Sequence, residues 1–434
     1  MTMNPNAGQL HYPVIIIGGG QAGLSMSYLL KQRGIAHIIL EKHRMAEAWR
    51  TQRWDTFCLV TPNWQCQLPG YPYTGPDPEG FMKKDEIIEY IESYARSFNP
   101  PLHEGVTVSR LRRHESGTFQ VSCDIGELLA DQVVIATGGY HNASIPRLAE
   151  RLPADVKQLH SSQYRNAESL PEGAVMVVGT GQSGCQIAED LHLSGRKVHL
   201  CVGGAPRTAR RYRGKDVVAW LEEMGYYQMP IHEHPKKDSV RAKANHYVTG
   251  RDGGRDIDLR KFALEGMQLY GRLTEVDGEV MRFSADLKQN LDHADEVAES
   301  IKLTIDKFIA SRGIDAPVES PYKPLWQPEQ DPQEINYIQA NIRTVIWSIG
   351  YKTNYRWIEL GVFDGKGYPA HDRGVTPVPG LYFLGLPWQY TWGSGRFSGV
   401  AKDAEFLASK IEALSTVESA QNPDGSLNVL ALGS

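Results

Sequence analysis

Two glycine-rich segments are the parts of this sequence whose residue types and spacing most directly indicate chemistry. The first glycine loop is 18–23, Gly-Gly-Gly-Gln-Ala-Gly, and the second glycine loop is 179–184, Gly-Thr-Gly-Gln-Ser-Gly. In the shared pattern Gly-x-Gly-x-x-Gly, the first glycine permits a tight turn, the second admits a phosphate close to the backbone, and the third lets a helix pack against a strand. Each loop is therefore predicted to bind the pyrophosphate of a dinucleotide. The predicted contact residues are Gly18, Gly20, Gln21, Ala22 and Gly23 in the first glycine loop and Gly179, Gly181, Gln182, Ser183 and Gly184 in the second.

The elements that must position the first glycine loop are recognisable on both sides of it. An apolar run at 14–17 predicts a buried strand, a helical pattern covers 24–33, and a second apolar run at 35–40 ends on Glu41. A carboxylate after the second strand of such a βαβ unit accepts hydrogen bonds from the ribose of the bound nucleotide. The segment is therefore predicted to be a complete dinucleotide-binding unit.

The second glycine loop has the same flanking elements but different residues at the position where the ribose acceptor would stand. A strand is predicted at 174–178, a helix runs through Leu193, and a second strand covers 197–202. Two glycines stand where the ribose acceptor would be, and arginines follow them. Arginine there favours a nucleotide with a 2′-phosphate, so NADPH is predicted, the other interpretation being a solvated basic loop. The sequence does not show which of them makes the contact; the candidates are Arg207, Arg210 and Arg211.

Three further apolar strands end in small residues that allow a cofactor to approach the backbone. They lie at 131–139, 344–351 and 379–385, and they are interpreted either as structural crossovers or as cofactor contacts. The residues concerned are Ala136, Thr137 and Gly138 in the first strand, Gly350 in the second and Gly385 in the third.

Composition excludes several classes of protein. The 434 residues are 41% hydrophobic and 22% charged with a net charge of -5, which is typical of a globular enzyme and not of a nucleic-acid-binding protein. The polar segment 1–13 does not resemble a secretion signal, and no apolar stretch approaches the ~20 residues of a membrane span, so a cytoplasmic protein without membrane contact is expected. Five cysteines form no Cys-x-x-Cys pair, which disfavours disulfide reductases and favours reduced thiols.

Taken together, the two loops, the strand endings and the pair Trp49-Arg50 resemble the class B flavoprotein monooxygenases, which include flavin-containing, N-hydroxylating and Baeyer-Villiger enzymes. The segments 41–44, 53–55 and 59–64 further resemble a bacterial subgroup of FAD-dependent oxidoreductases from nitrilase-containing gene clusters. The chain departs from the family at 46–48, Ala-Glu-Ala, where a double glycine is usual, and at Ala154 and Val156, which replace the phenylalanine and glycine of a histidine-containing fingerprint.

This resemblance implies an α/β fold with two Rossmann-like domains and two cofactors, FAD in the first and NADPH in the second. NADPH would reduce the flavin, dioxygen would form a C4a-peroxyflavin, and a small amine, sulfide or carbonyl substrate would be oxygenated. An NADPH oxidase or dehydrogenase-type flavoenzyme and a non-catalytic flavin-binding sensor are the alternatives. The additional FAD contacts that the resemblance implies are Lys42, Trp49, Arg50, Thr61, Val108, Arg396 and Phe397.

Catalytic and substrate-binding residues are also implied by the resemblance. Asn63 occupies the place of a flavin-facing asparagine and is the catalytic candidate, the other interpretation being a turn residue after Pro62. Aromatic residues near it and near the C-terminus would line a substrate pocket or else pack in the core. These are Trp64, Trp388, Tyr390 and Trp392.

The domain arrangement follows from the order of the elements. The FAD domain is predicted from 1–152 and 334–434, with the NADP domain at 153–333 inserted between them. A long amphipathic helix is predicted at 284–309, whose apolar stripe packs in the core or against a second subunit in a homodimer, and 247–272 is predicted to be loops and short elements over the active site. No metal is expected, since His160, His232 and His234 lack accompanying ligands.

Overall fold

The computed structural model describes residues 10–421, in which buried apolar runs form strands and amphipathic runs form helices. The α-helices are α1 (Gln21–Gln32), α2 (Glu47–Thr51), α3 (Lys84–Phe98), α4 (Gln182–Leu193), α5 (Val217–Glu223), α6 (Leu259–Leu264), α7 (Leu287–Arg312) and α8 (Val400–Gln421). Short 3-10 helices lie at Asn63–Gln65, Arg147–Arg151, Ser161–Gln163, Tyr226–Gln228, Lys237–Ala242 and Arg251–Gly253.

Strands alternate with these helices along the chain. They are β1 (Leu10–Ile17), β2 (His37–Glu41), β3 (Gln67–Leu68), β4 (Tyr71–Pro72), β5 (Leu102–Glu104), β6 (Val108–Arg113), β7 (Phe119–Cys123), β8 (Gly126–Ile135), β9 (Asn142–Ala143), β10 (Lys157–His160), β11 (Ala174–Val178), β12 (Val198–Cys201), β13 (Arg211–Tyr212), β14 (Lys215–Asp216), β15 (Gln268–Tyr270), β16 (Leu273–Asp277), β17 (Val280–Phe283), β18 (Glu334–Asn336), β19 (Ile342–Trp347), β20 (Tyr351–Lys352) and β21 (Leu381–Phe383).

The first sheet carries the first glycine loop at the end of its central strand. Its order is β5-β2-β1-β8-β7-β6, with β21 also paired to β8. β1 runs parallel to β2 and β8, and its residues 14–17 are at most 4% exposed because both faces of the sheet are covered. β21 lies far along the chain yet pairs in parallel with β8, Leu381 opposite Val133. The first domain is therefore discontinuous, as predicted.

The second sheet carries the second glycine loop in the same way. Its five strands are all parallel, in the order β10-β19-β11-β12-β15. β19 lies between β10 and β11, and its Val345 and Trp347 are buried in the second domain's core. The boundary predicted after residue 333 is therefore too early, because 342–347 belongs to the second sheet. The connections between the domains run side by side where β9 pairs with β20.

The apolar stripe of helix α7 packs against other parts of the same chain. Leu287, Leu291 and Ala294 pack into the core of the second domain, and Ile305 and Ile309 pack against a separate cluster around α5. The predicted core role is confirmed, so the stripe is not free to meet a second subunit. Among the helices of residues 10–421, none combines the length and apolar character needed to cross a membrane.

The two domains meet through the segment 247–272, which contains a 3-10 helix, α6 and β15, in agreement with the predicted loops and short elements. A Cβ on Gly250 would lie 2.0 Å from the carbonyl oxygen of Leu59, so this segment touches the first domain closely. On α4, Asp190 accepts hydrogen bonds from Thr56 at 2.5 Å and from Arg251 at 2.7 Å. These contacts fix one domain against the other.

Buried histidines make the stability of this fold depend on pH. His199 of β12 is 2% exposed, lies 2.9 Å from the Tyr270 hydroxyl, and has its pKa lowered by burial from 6.5 to about 4. The unfolded imidazole therefore takes up protons more readily, so the free energy of unfolding should fall as the pH drops below about 6.5. Between pH 7 and pH 5 we expect a loss of about 2 kcal/mol from this group.

Urea unfolding of the wild type and of His199→Phe at both pH values measures this effect. The phenyl ring can stack on Tyr270 but does not titrate, so the variant should lose less stability than the wild type over the same interval. Equal losses in the two proteins would show that His199 is not responsible.

Candidate functional site

The first glycine loop is shaped by contacts that only glycine permits at its two ends. Gly18 has φ of +112°, and a Cβ there would lie 2.6 Å from the carbonyl oxygen of Ala136. A Cβ on Gly23 would lie 1.9 Å from the carbonyl oxygen of Gly18. By contrast, a Cβ on Gly20 meets no atom of the described chain within 4 Å, and no side chain caps the start of α1. The helix N-terminus thus faces open space in which a phosphate can be bound.

The second glycine loop repeats this geometry. Gly179 has φ of +105°, with a Cβ position 2.8 Å from the carbonyl oxygen of Ser348, and a Cβ on Gly184 would lie 1.9 Å from the Gly179 oxygen. Gly181 again has open space around its Cβ position within the described residues, and α4 starts without a side-chain cap. Ala136 and Ser348 therefore play equivalent parts, which explains the small residues at the two strand endings.

Glu41 lies beside the first glycine loop as predicted for a ribose acceptor. Its carboxylate accepts hydrogen bonds from the Gly19 amide at 2.6 Å and the His43 amide at 2.9 Å. The backbone of Val106 donates to the Glu41 carbonyl oxygen at 2.8 Å, whereas Val108 begins β6 and packs toward the core. The backbone of Val106 is therefore in direct contact with Glu41. Lys42 is exposed.

Two of the three arginines predicted to bind a 2′-phosphate are already paired. Arg207 is 3% exposed and its Nε lies 2.6 Å from Asp295. Arg210 is 2% exposed, lies 2.6 Å from Asp216 and donates to the Val60 carbonyl oxygen at 2.7 Å. Partners distant in sequence thus neutralise these two arginines, and their contact with a 2′-phosphate stays a prediction. Arg211 remains exposed.

A surface depression of about 730 Å³ lies beside Gly204, directly after β12. Lys288 and His293 of α7 supply its basic groups, and carboxylates accompany them. Lys288 itself lies 2.5 Å from Asp292. This depression occupies the place of the adenosine ribose in a Rossmann unit, at the carboxyl end of the second strand.

Asn63 has a structural role in this chain. Its side chain is 4% exposed, donates to the Asp77 carbonyl oxygen at 2.9 Å and accepts from the Met82 amide at 2.7 Å. Each end of the amide therefore has a partner in the backbone of 77–82, which favours the interpretation as a structural residue, while the catalytic contact stays a prediction. The sequence could not show this, because these partners lie 14 and 19 residues away.

Asn63→Ala should consequently affect stability more than chemistry. Two buried backbone groups lose their partners, so we expect the free energy of unfolding to fall by about 2 kcal/mol. Chemical unfolding of the purified holoprotein measures this loss. Asn63→Asp keeps the acceptor for Met82 and should lose less, while an unchanged stability in the alanine variant would contradict the assignment.

Gln65, two residues further on, is a functional candidate that the sequence did not indicate. It is 2% exposed, yet neither its amide nitrogen nor its oxygen has a hydrogen-bond partner in residues 10–421. Nearby, Gln67 donates its backbone N–H to the Phe397 carbonyl oxygen, so 63–67 lies against the segment before α8. An unpaired buried amide costs free energy unless a ligand satisfies it.

The segment before α8 is held next to the first glycine loop. Gln21 donates to the Gly395 carbonyl oxygen at 3.1 Å, and the Cβ position of Gly385 lies 2.8 Å from the Cβ of Ala22. Phe397 stacks on Trp49 with ring centroids 5.7 Å apart. The structure thus brings together several predicted FAD contacts from both parts of the first domain.

Other predicted FAD contacts have different surroundings. Arg50 is paired with Glu92 of α3, so its charge is already neutralised. Thr61 is half-buried. Gly350 has φ of +85°, and its carbonyl oxygen accepts a hydrogen bond from His160 at 3.0 Å. His160 therefore connects the second sheet to the segment that leads back to the first domain. No group of three metal-ligating side chains occurs in the described part of the chain.

Two of the four predicted pocket aromatics, Trp388 and Trp392, pack in the same small cluster. Trp388 is 5% exposed and packs in a small core cluster, and Tyr390 is stacked by Arg373 at 4.1 Å. Trp392 lies 4.4 Å from the Tyr227 ring, and Trp64 is half-buried. The burial of Trp388 favours the core interpretation for this ring, and the substrate pocket stays a prediction.

The fold and its free polar groups fit two dinucleotides. The two loops leave open space at the second glycine of each. Buried polar atoms that lack partners within residues 10–421 lie near them, and an orphaned group of this kind is what a cofactor would satisfy. They are Thr137 Oγ1, Ser398 Oγ and the Gln65 amide on the first domain's side, and Gln182 Oε1 and Ser348 Oγ on the second.

Comparison with known proteins agrees with this geometry. Residues 15–263 match the model of the pyridine nucleotide-disulphide oxidoreductase family. An uncharacterized CzcO-like oxidoreductase of Geobacillus kaustophilus is 34% identical over 402 residues, 92% of this chain and 97% of that protein. Indole-3-pyruvate monooxygenase YUCCA4 of Oryza sativa subsp. japonica is 30% identical over 194 residues, 41% of this chain and 44% of that protein. A flavin-containing monooxygenase from Stenotrophomonas maltophilia has the same fold, with a TM-score of 0.64 at 19% identity, covering 94% of this chain and all of that structure.

Proposed function

This chain belongs to the pyridine nucleotide-disulphide oxidoreductase family, and from that premise we propose that it is an FAD- and NADPH-dependent monooxygenase of a small molecule. The observation that carries the proposal is the matched pair of glycine loops. Each has two glycines whose Cβ positions are blocked and a middle glycine, Gly20 or Gly181, whose position is open within the described chain. A flavoenzyme reduced by a nicotinamide nucleotide needs two such sites.

The chain's own residues would divide the work between binding and enclosure. The N-termini of α1 and α4 would hold the two pyrophosphates, and Glu41 would hold the ribose of FAD. When bound, FAD would supply the redox chemistry that couples oxidation of NADPH to reduction of dioxygen. The buried Gln65 amide would orient the flavin, and the aromatic packing around Trp49 would exclude water.

Disulfide reduction, which the family name includes, is disfavoured by the state of the thiols near this site. Burial raises the pKa of Cys58 to about 11 and that of Cys66 to about 12. Both thiols therefore stay protonated near neutral pH, and the thiolate is the reactive form. Oxygen chemistry on an amine, sulfide or carbonyl substrate is the better supported proposal.

The proposed reaction consumes NADPH, a proton and dioxygen, places one oxygen atom in the substrate and releases the other as water. The test is turnover under ¹⁸O₂ with panels of amines, sulfides and ketones, measuring NADPH, hydrogen peroxide and labelled product. We expect one panel to yield ¹⁸O-labelled product with less peroxide than NADPH consumed. Peroxide equal to NADPH with every compound would instead establish an oxidase and overturn the proposal.

Selectivity for NADPH would come from the depression at Gly204 and not from Arg207 or Arg210. Lys288→Ala removes an exposed charge there, so the KM for NADPH should rise by about fivefold, equivalent to about 1 kcal/mol. Steady-state kinetics with NADH, which lacks the 2′-phosphate, supply the control, because its KM should not change. An equal effect on both nucleotides would place the 2′-phosphate elsewhere.

A further inference from the structure

Two sets of arginines differ in how their charge is balanced, one of three buried side chains and one of two half-buried side chains. Arg207, Arg210 and Arg260 each have an aspartate carboxylate oxygen at 2.6 Å. Arg53 and Arg396 have no carboxylate within 4.0 Å among residues 10–421, although burial lowers the pKa of both guanidinium groups. A charge taken out of water without a counter-ion is costly. These two arginines are therefore suited to an anion that comes from outside the chain.

Their present hydrogen-bond partners are neutral. Arg53 donates to the Gln52 carbonyl oxygen at 2.8 Å. Arg396 donates to the Asn245 side-chain oxygen at 3.0 Å and to the Trp392 carbonyl oxygen. A guanidinium has five N–H donors, so donors remain for an incoming ligand on each side chain.

Aromatic packing connects the two arginines. Arg53 lies 5.0 Å from the centroid of Trp49, Trp49 stacks on Phe397 at 5.7 Å, and Phe397 follows Arg396 in the chain. The Tyr140 hydroxyl acts on the pKa of both guanidinium groups, raising each against the effect of burial. Tyr140 is 58% exposed and follows the strand ending at 136–138, where the two domains face each other.

Aromatic rings surround both charges. Phe57 lies 5.4 Å from Arg53, and the Trp392 ring lies 4.0 Å from Arg396 and 4.4 Å from Tyr227. The cofactor pyrophosphates have their own positions at the two glycine loops, and the 2′-phosphate belongs beside Gly204. Apolar walls around paired guanidinium groups are suited to a carboxylate on an apolar body, since arginine binds carboxylates through two parallel hydrogen bonds.

We propose that Arg53 and Arg396 together bind the carboxylate of an apolar or aromatic organic acid, and that such acids are the substrate class of this enzyme. The inference rests on the proposed function, because the two arginines adjoin Trp49 and Phe397, which are among the residues predicted to contact FAD. It adds a requirement for negative charge that an amine, sulfide or carbonyl group alone does not carry.

The test is equilibrium binding to the oxidised holoenzyme without NADPH, followed by the change in flavin absorbance and by calorimetry. The probes are phenylacetate, 3-phenylpropionate and octanoate, each compared with its neutral amide. We expect at least one acid to bind about tenfold or more tightly than its amide, a difference typical of hydrogen bonds to charged groups. Arg53→Gln and Arg396→Gln should each remove most of that preference.

Arg110→Gln is the matched control, since Arg110 is exposed and paired with Glu359 at 2.6 Å on the surface. Three acids that bind no better than their amides would overturn the proposal. It would equally be overturned if both glutamine variants kept the acid preference while losing FAD or NADPH binding, because the arginines would then serve a cofactor. The titration needs no turnover, so failure of the proposed monooxygenase reaction would be seen separately.

Discussion

Gly181→Val is expected to slow the reduction of the flavin by NADPH at least about 100-fold while the protein stays folded and keeps its FAD, a loss of about 3 kcal/mol in nucleotide binding. The backbone of Gly181 has φ of -61° and ψ of 171°, which any residue adopts, and its Cβ position has no neighbour within 4 Å in the described chain. The valine side chain would therefore enter only the space needed by the pyrophosphate. Anaerobic stopped-flow mixing with NADPH measures the rate.

The first glycine loop supplies the matched control. Gly20→Val faces the same open space, so this variant should fold but purify without FAD. Gly184→Ala differs from the two valine variants, because its Cβ would lie 1.9 Å from a backbone oxygen. This variant should therefore destabilise the second domain itself. A wild-type reduction rate in Gly181→Val would contradict the assignment of the second glycine loop to NADPH.

Arg210→Ala is expected to lower the free energy of unfolding by about 3 kcal/mol, because it leaves a buried carboxylate without its partner. Arg210 forms an ion pair with Asp216 at 2.6 Å and also donates a hydrogen bond at 2.7 Å to the Val60 carbonyl oxygen of the first domain. Its loss should therefore weaken the second domain and the contact between the domains together. Urea unfolding followed by tryptophan fluorescence measures the change.

The double variant Arg210→Met/Asp216→Asn tests the electrostatic part of this argument. It removes both charges but keeps an Asn side chain to accept from the Val218 amide, as Asp216 does at 2.8 Å. We therefore expect it to be more stable than Arg210→Ala. If the two variants lose the same free energy, the unpaired carboxylate is not the cause.

Local patterns in the sequence were sufficient for the fold and for the shape of the two loops. The apolar runs of β1 and β11 and the helices that follow them depend on neighbours within a few residues, so periodicity and glycine spacing indicate them directly. The order of the elements indicated the discontinuous first domain, and the pairing of β21 with β8 agrees with it.

Long-range contacts explain what the sequence could not indicate. Arg207 pairs with Asp295 and Asn63 is fixed by the segment 77–82, and neither partnership leaves a local signal. The boundary predicted after residue 333 is too early for the same reason, because β19 joins the second sheet through long-range pairing with β10 and β11. Gln65 was missed because its distinction is the absence of any partner within the described residues, which only the structure reveals.

The most direct test of the account is a two-step stopped-flow experiment on the holoenzyme. Anaerobic NADPH would first reduce the flavin, and oxygenated buffer would then be added while the full spectrum is recorded. We expect faster reduction by NADPH than by NADH. After oxygen is added, a flavin spectrum distinct from those of oxidised and reduced flavin should persist before reoxidation. Direct return to oxidised flavin with one hydrogen peroxide per NADPH would contradict the monooxygenase assignment, and no reduction by either nucleotide would contradict the two-site account itself.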